Sequence, residues 1–415
     1  MENNYTIVNR FSQIISKYFT GLDGFQIESV LLEDQKEEIE ISESLKETLN
    51  GNSLENEKFR KLRRMQIETL ISGAEDKMAK MEFLDLLLNL GKTSISLGEI
   101  EIGEEIYNLV LGKISQSKEY QNIEANARLG LGETFHRRAN WRSARRELNK
   151  AKKLFEKEKD NSGLVLCENL LGSGYGNRGD FVKAKSHFEN CLGLLDEKKD
   201  KHLIAMVEGN IAIINQAMNR YDTALTYHNR ALKRFEQLND YKGMSLAHYN
   251  KGFLFMQKKN FEESLKELDL SISCSTRGEY LPALGISYLN KANIYAELKD
   301  FSLAIAFADK AMEISYEIND KLSVADIYKI KGIIQRNLQN KELAENYLQT
   351  SLRLNKELRN DYNYAEAAYE LGILYKNWNR KDKSLEFLNR ALIYKKRIKA
   401  RADLQNIESV ISSYN

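Results

Sequence analysis

Five histidines, three cysteines and one glycine cluster are the residues of this sequence whose chemistry would reach beyond packing. A metal site needs ligands at short, fixed spacing, and His136, His187, His202, His228 and His248 contain no such pair. His228 stands where equivalent stretches carry Leu148, Phe188 and Leu268, so it reads as a histidine inside a packing stripe. Cys167, Cys191 and Cys274 are odd in number and lack CxxC spacing, which suits small apolar fillers in a reducing compartment, here the cytoplasm. Cys167 and Cys191 are expected to be neighbours in one core. Gly172, Gly174, Gly176 and Gly179 look like a phosphate-cradling loop, but Asn177 breaks the GxGxxG spacing and no strand precedes it. No Ser, His and Asp set can be nominated. None of the 60 acidic residues is singled out by an apolar setting that would shift its pKa. The reading is of a chain that is not an enzyme and uses no cofactor or metal.

Lysine and arginine number 62, so the net charge of +2 is too small to steer the whole molecule onto nucleic acid or an anionic membrane. Local patches must carry any electrostatics. The basic run His136, Arg137, Arg138, Arg142, Arg145 and Arg146, with Lys150, Lys152 and Lys153 beyond, reads first as a solvated face. Helical spacing would align Arg138, Arg142 and Arg145 toward an acidic partner or the chain's own acidic stretch. A second run is Lys395, Lys396, Arg397, Lys399 and Arg401. Aromatics do not interleave with either in a base-stacking pattern, so nucleic acid is not an expected partner. Met1 to Arg10 lacks a basic region followed by an apolar core, and no window approaches 18 apolar residues. Neither a signal peptide nor a membrane span is expected.

What must position any binding residue is a repeat. One proline in 415 residues, where about 5% is ordinary, argues for long uninterrupted helices. Gly132, Gly172, Ala212, Gly252, Ala292, Gly332 and Gly372 recur every forty residues, with Gly91 one residue out of phase. Twelve residues after these markers stand Ala144, Ala184, Ala224, Ser264, Ala304, Ala344 and Ser384; seven later come Ala151, Cys191, Ala231, Ser271, Ala311, Ser351 and Ala391. Small residues at fixed places let two helices approach, and large apolar residues fill the seam between them. Tyr221, Ala224, Leu225, His228, Ala231, Leu232 and Phe235 form one apolar stripe of about four helical turns. Asn140, Asp180, Asn260, Asp300 and Asn340 are placed to cap second helices, and Asp160, Asp200, Asp240 and Asp320 to cap first helices.

Both ends depart from the period. Asn4 to Phe19 reads as a helix, Thr20 to Gly24 as a breaker, and Gln26 to Glu57 carries ten acidic against two basic residues. Lys58 to Met81 reads as another helix, with Arg60, Lys61, Arg63 and Arg64 at its front. After Arg397, Leu404, Ile407, Val410 and Ile411 fall at helical spacing, suited to cover the apolar edge of the last unit. The expected organisation is a helical extension with an acidic segment over 1–83, eight units near 84–123, 124–160, 161–200, 201–240, 241–280, 281–320, 321–360 and 361–397, and a capping helix over 398–415.

Leu171, Gly172, Tyr175, Gly179, Asp180, Phe181, Ala184, Phe188 and Cys191 carry a resemblance to the tetratricopeptide repeat (TPR), which extends over roughly residues 84–397. The forty-residue unit is similar to the longer-helix variety in kinesin light chains, Pins-type polarity adaptors and bacterial Rap-type peptide-sensing regulators. The resemblance implies an all-α, right-handed solenoid of helix-turn-helix units, with first-helix residues at fixed offsets lining a concave groove. At those offsets stand Asn210, Asn250 and Asn290, each of which can offer a donor and an acceptor to a peptide unit. Equivalent positions about 10 Å apart would match every third residue of an extended strand at about 3.3 Å each. Met206, Leu246, Ile286, Ile213, Phe253, Gln216, Met256 and Gln257 give an apolar floor with amide edges. Lys329, Arg336, Tyr369 and Lys376 favour acidic ligand groups toward the later units. Ile333 beside Lys329 breaks the carboxylate clamp of chaperone-binding members.

The leading expectation is a non-catalytic scaffold that binds an extended protein or peptide segment in this groove. The alternative is a Rap-like peptide-responsive regulator acting on a response regulator through its leading helical region, where Gln35 is the one candidate for a water-positioning amide.

Overall fold

The computed structural model describes residues 9–19, 53–115, 117–358, 360–397 and 401–414. It is an all-α solenoid, with no strand among the described residues. Two compact units divide it, Met1–Leu238 and Asn239–Asn415. Among the described residues no helix is long and apolar enough to cross a membrane. The expected breaker Thr20 to Gly24, the acidic stretch as far as Asn52 and Gln35 lie outside the described residues.

The first unit contains α1 (Asn9–Tyr18), α2 (Ser53–Glu75), α3 (Lys80–Ser96), α4 (Ile100–Lys113), a single 3-10 turn (Lys118–Tyr120), α5 (Gln121–Arg137), α6 (Trp141–Glu158), α7 (Asn161–Asn177), α8 (Phe181–Leu194), α9 (Lys201–Ala217) and α10 (Tyr221–Gln237). Helices α3 to α10 pack as consecutive antiparallel pairs. The helix expected to run to Met81 stops at Glu75, because Ala79 takes an extended conformation (φ −61°, ψ 145°) and α3 starts afresh at Lys80. Ile14, Ile15, Tyr18 and Phe19 bury against α3 and its neighbours. The buried Arg63 guanidinium donates to Leu97 O at 3.1 Å and pairs with Glu99 at 3.4 Å, pinning α2 to the α3–α4 turn.

The second unit contains α11 (Tyr241–Gln257), α12 (Phe261–Arg277), α13 (Leu281–Glu297), α14 (Phe301–Glu317), α15 (Lys321–Asn337), α16 (Lys341–Glu357), α17 (Asp361–Asn377), α18 (Lys381–Arg397) and α19 (Arg401–Ser412). Helices α11 to α18 are again pairs, and α19 lies on α18. Ile407 is buried there, with Val410 and Ile411 packed beside it. Apolar surface that another repeat would have covered is thus taken out of water.

Pairing rests on a size rule between the marker and a residue sixteen later on the second helix. A Cβ at Gly132 would lie 2.5 Å from Leu148, at Gly172 2.8 Å from Phe188, at Gly332 2.6 Å from Leu348 and at Gly372 2.7 Å from Leu388. At these positions glycine faces Leu or Phe, whereas Ala212 faces His228, both fully buried. Where the marker is Ala292 the facing residue is Ala308, and both are fully buried. Glycine opposite a large side chain and alanine opposite alanine both let the helices approach without a clash.

Helix ends follow from local hydrogen bonding. Asn140, Asp160, Asp180, Asp240, Asn260, Asp300 and Asp320 each accept a backbone N–H three residues on, as expected of caps. Two expected caps act otherwise. The Asp200 carboxylate accepts from Asp196 N at 2.8 Å, and the Asn340 amide donates to Gln335 at 2.7 Å. Most turns put the residue before the cap in the left-handed region, among them Ala139, Lys159, Lys259, Lys299 and Gln339, and among the described residues only Gly98 and Gly179 are glycine there. The bonds Asn140 N to Phe135 O and Asp300 N to Tyr295 O close these turns at 2.8 and 2.9 Å.

Candidate functional site

First helices of the second unit, α11, α13, α15 and α17, neighbour one another in order. Their facing side chains form a polar belt. The Tyr249 hydroxyl on α11 lies within electrostatic reach of the Asn290 side chain on α13 and of the Asp326 carboxyl on α15. Asp326 in turn accepts from Asn363 Nδ2 on α17 at 3.0 Å and has Lys329 Nζ at 3.4 Å. Burial pushes the Asp326 carboxyl above the usual carboxylate range, against the pull of Lys329. Tyr249 stacks on Phe253 with ring centroids 6.3 Å apart, which joins the belt to an apolar platform. Asn250 is half-buried and makes no side-chain hydrogen bond among the described residues. Its amide can therefore serve another polypeptide without breaking an internal bond. Leu246 is exposed and Met256 half-buried on the same helix; Gln257 is exposed at its end.

Belt members beyond Asn250 and Asn290 escaped the sequence reading. Tyr249 and Asn290 are 41 residues apart and Asp326 and Asn363 are 37, so their meeting depends on the register of neighbouring helices. A signal was present, since Asp326 has the same offset from its marker as Met206, Leu246 and Ile286.

In the first unit, Asn210 Nδ2 donates to Asn169 Oδ1 at 2.7 Å, so this amide is already partly engaged across α7 and α9. Met206 is half-buried, Ile213 is exposed and Gln216 is buried. The cations of the later units have partners of their own. Arg336 is bound to Glu370, with Tyr369 beside the pair, and Lys376 donates to Ser413 Oγ at 2.7 Å at the end of the chain. With Lys329 facing Asp326, the expected attraction for acidic ligand groups is largely met internally.

The run of arginines is divided by a turn. Arg138 follows the last residue of α5 and Arg142 is the second residue of α6, with the left-handed Ala139 between them, so Arg138, Arg142 and Arg145 do not share one helical face. Arg137 pairs with Glu133 at 2.9 Å, Arg138 with Glu104 at 2.5 Å and Arg146 with Glu147 at 2.9 Å. Arg142 and Arg145 are exposed and form no ion pair among the described residues.

Buried charge lies instead between the two helices of several repeats. Glu168 accepts from His187 Nδ1 at 2.5 Å and from Lys152; Glu267 faces His248 at 2.7 Å and Lys251 at 2.6 Å. Burial would raise Glu168, yet the hydrogen bonds from His187 and Lys152 hold it down at about 2. The same repeat position carries Arg128 with Glu147 at 2.8 Å, and in later repeats the aromatic pair Tyr288 and Phe307 with centroids 6.0 Å apart. Ion pair and ring stack occupy equivalent space, so these charges read as packing elements. His228 is fully buried in its stripe. Cys167, Cys191 and Cys274 are buried thiols, and burial pushes the first two up to about 12, which leaves them unreactive at neutral pH. Among the described residues no three His, Cys, Asp or Glu side chains converge as metal ligands.

Tetratricopeptide-repeat models match residues 165–237, and also 286–317 and 365–395. No curated protein matches the chain in sequence. Among solved structures it is similar to a Rap protein complexed with competence and sporulation factor, at 14% identity over 88% of this chain and 99% of that one, with TM-score 0.61. Aspartyl phosphate phosphatase F from Bacillus subtilis is similar at 14% identity over 95% and 96%, with TM-score 0.55. NprR in complex with its cognate peptide NprX is similar at 15% identity over 80% and 97%, with TM-score 0.51. The chain thus carries tetratricopeptide repeats and resembles the Rap-type regulators in fold.

Proposed function

We propose that the second unit binds an extended polypeptide along the first-helix belt, and that the chain works as a peptide- or protein-binding regulator. The observation that carries this is the belt itself: Tyr249, Asn290, Asp326 and Asn363 set donors and acceptors on four successive first helices, Asn363 bonded to Asp326, with the Asn250 amide open beside them. Asp326 and Asn363 hold each other and so lose little further entropy on binding, and amides recognise a backbone without demanding one side chain. The similarity to NprR, whose structure holds a cognate peptide, supports the reading. The test is capture of partners from the protein's own cells with the whole chain, with Asn250→Ala and with Asn290→Ala. A polypeptide retained by the parent and reduced at least tenfold by either variant supports the belt; equal retention moves the site elsewhere.

A second reading is favoured by the similarity to aspartyl phosphate phosphatase F over 95% of this chain. In it the region before α3 acts on a phosphorylated receiver domain while the repeats sense a peptide. An unchanged lifetime of a phosphorylated receiver domain in the presence of the chain would remove this reading and leave the first intact.

A further inference from the structure

Away from the helix ends, ionised side chains on α11, α13, α15 and α17 find their partners inside the chain. On the belt side, Lys329 Nζ lies 3.4 Å from Asp326 Oδ1, Arg336 is bound to Glu370, and Glu366 to Lys395. Lys251, Lys291 and Lys331, each one residue before its marker, turn instead to carboxylates of second helices. They meet Glu267 at 2.6 Å, Asp269 at 2.5 Å and Asp309 at 2.5 Å, and His248 shares Glu267 with Lys251. Lys376 donates to Ser413 Oγ at 2.7 Å and lies over the Tyr414 ring. The remaining charges of these helices, Lys242, Glu297, Lys321 and Asp361, stand within two residues of a helix end.

What the same face leaves open is uncharged. Leu246, Asn250 and Phe253 are spaced by four and three residues on α11, as are Ile286, Asn290 and Asn293 on α13, which puts each set on one side of its helix. Asn250 and Asn293 are half-buried and make no side-chain hydrogen bond among the described residues. One residue after the four markers stand Phe253, Asn293, Ile333 and Ile373, all half-buried, an apolar row with one amide in it. A ligand carboxylate beside Arg336 would lose water and meet Glu370, of its own sign; a ligand ammonium beside Asp326 would meet Lys329. Peptide groups and aliphatic side chains incur neither cost.

We infer that this face selects an extended segment whose side chains carry no charge, an inference that rests on the belt proposed above. Asn250 and Asn293 hold the segment's peptide groups, and its apolar side chains lie on Phe253, Ile333 and Ile373. First helices about 10 Å apart match three residues of extended chain, so about ten residues cross the four helices. Selectivity comes from the Arg336–Glu370 and Lys329–Asp326 pairs, which cancel the charge that a ligand would otherwise find.

The test is display selection of random decapeptides on the full chain, with the double variant Asn250→Ala and Asn293→Ala for comparison. Neither amide has an internal bond to lose, so the double variant keeps the fold. Recovered peptides should hold at least about threefold fewer Asp, Glu, Lys and Arg than the input, and bind the double variant at least about tenfold more weakly. Their affinity should change less than about twofold between about 0.05 and about 0.5 M NaCl. Glu370→Gln keeps the shape of its pair and frees Arg336, so at least one peptide of a glutamate scan should bind this variant about fivefold more tightly than the parent. Charged sequences that still depend on Asn250 and Asn293, or no gain for any scan peptide on Glu370→Gln, would overturn the inference and leave the belt standing. Sequences indifferent to the double variant, or recovery of none, would overturn the belt and this selectivity together.

Discussion

Glu168 offers the sharpest energetic check, because a buried carboxylate on α7 holds two helix pairs together through His187 on α8 and Lys152 on α6. Replacing it by Gln keeps the shape and removes the charge. Burial opposes ionisation, but the hydrogen bonds from His187 and Lys152 bring the carboxyl from its ordinary 4.5 down to about 2 in the folded chain. A depressed folded pKa stabilises above the unfolded value and loses that contribution as pH falls through the folded one. At about 1.36 kcal/mol per pKa unit the ionised carboxylate contributes a few kcal/mol at most at neutral pH, less than half of that at pH 3 and little at pH 2. Urea unfolding of the parent and of Glu168→Gln, followed through hydrogen exchange of α7 and α8 amides, should show the two converging over that pH range. Other carboxylates titrate as well, but they cancel in the difference. A gap that stays constant between pH 7 and pH 3, or one below about 0.5 kcal/mol at pH 7, would refute a charge-based role for the triad.

Leu348→Ala should cost about 2 to 5 kcal/mol, and Gly332→Ala should also destabilise; together they should cost less than their sum, since Ala292 and Ala308 show that this paired size is compatible with the fold. Additive unfolding energies would dismiss the size rule. Lys299→Gly should stabilise by about 0.5 to 1 kcal/mol, because Lys299 is held at φ 63°; a fall in thermal midpoint would count against it. Asp320→Ala should cost about 1 kcal/mol through loss of its bond to Ser323 N, and Asn340→Ala, which carries no such bond, well under half of that. Equal losses in urea titrations would mean that the cap bond contributes little.

Much of the scaffold was legible because its determinants are local and periodic. Gly132 to Gly372 with their partners sixteen residues on, and caps such as Asp160 and Asp320, repeat the same contact within one helix pair. Asn340 and Asp200 show the limit of that reasoning, since a nearby Gln335 or Asp196 N–H competes for the same side chain. Charge was harder to read. Glu168 and His187 occupy positions filled elsewhere by rings, and only the helix pairing reveals them as a compact substitute. In the candidate site, Asn250 and Asn290 could be named from their offset, whereas Tyr249, Asp326 and Asn363 become a set only once α11, α13, α15 and α17 lie side by side. Arg336 and Lys376 looked available from sequence and are engaged by Glu370 and Ser413, residues 34 and 37 positions further on.

Photo-crosslinking in the protein's own cells tests the central claim most directly. A diazirine side chain introduced at position 250, or at position 290, reports what lies against the first-helix belt, with the exposed second-helix position of Lys266 as the control. Neighbouring first helices lie about 10 Å apart and an extended chain advances about 3.3 Å per residue, so the two positions should capture residues about three apart on one polypeptide. Capture of no polypeptide, or capture from position 266 as efficient as from 250 and 290, would contradict the account.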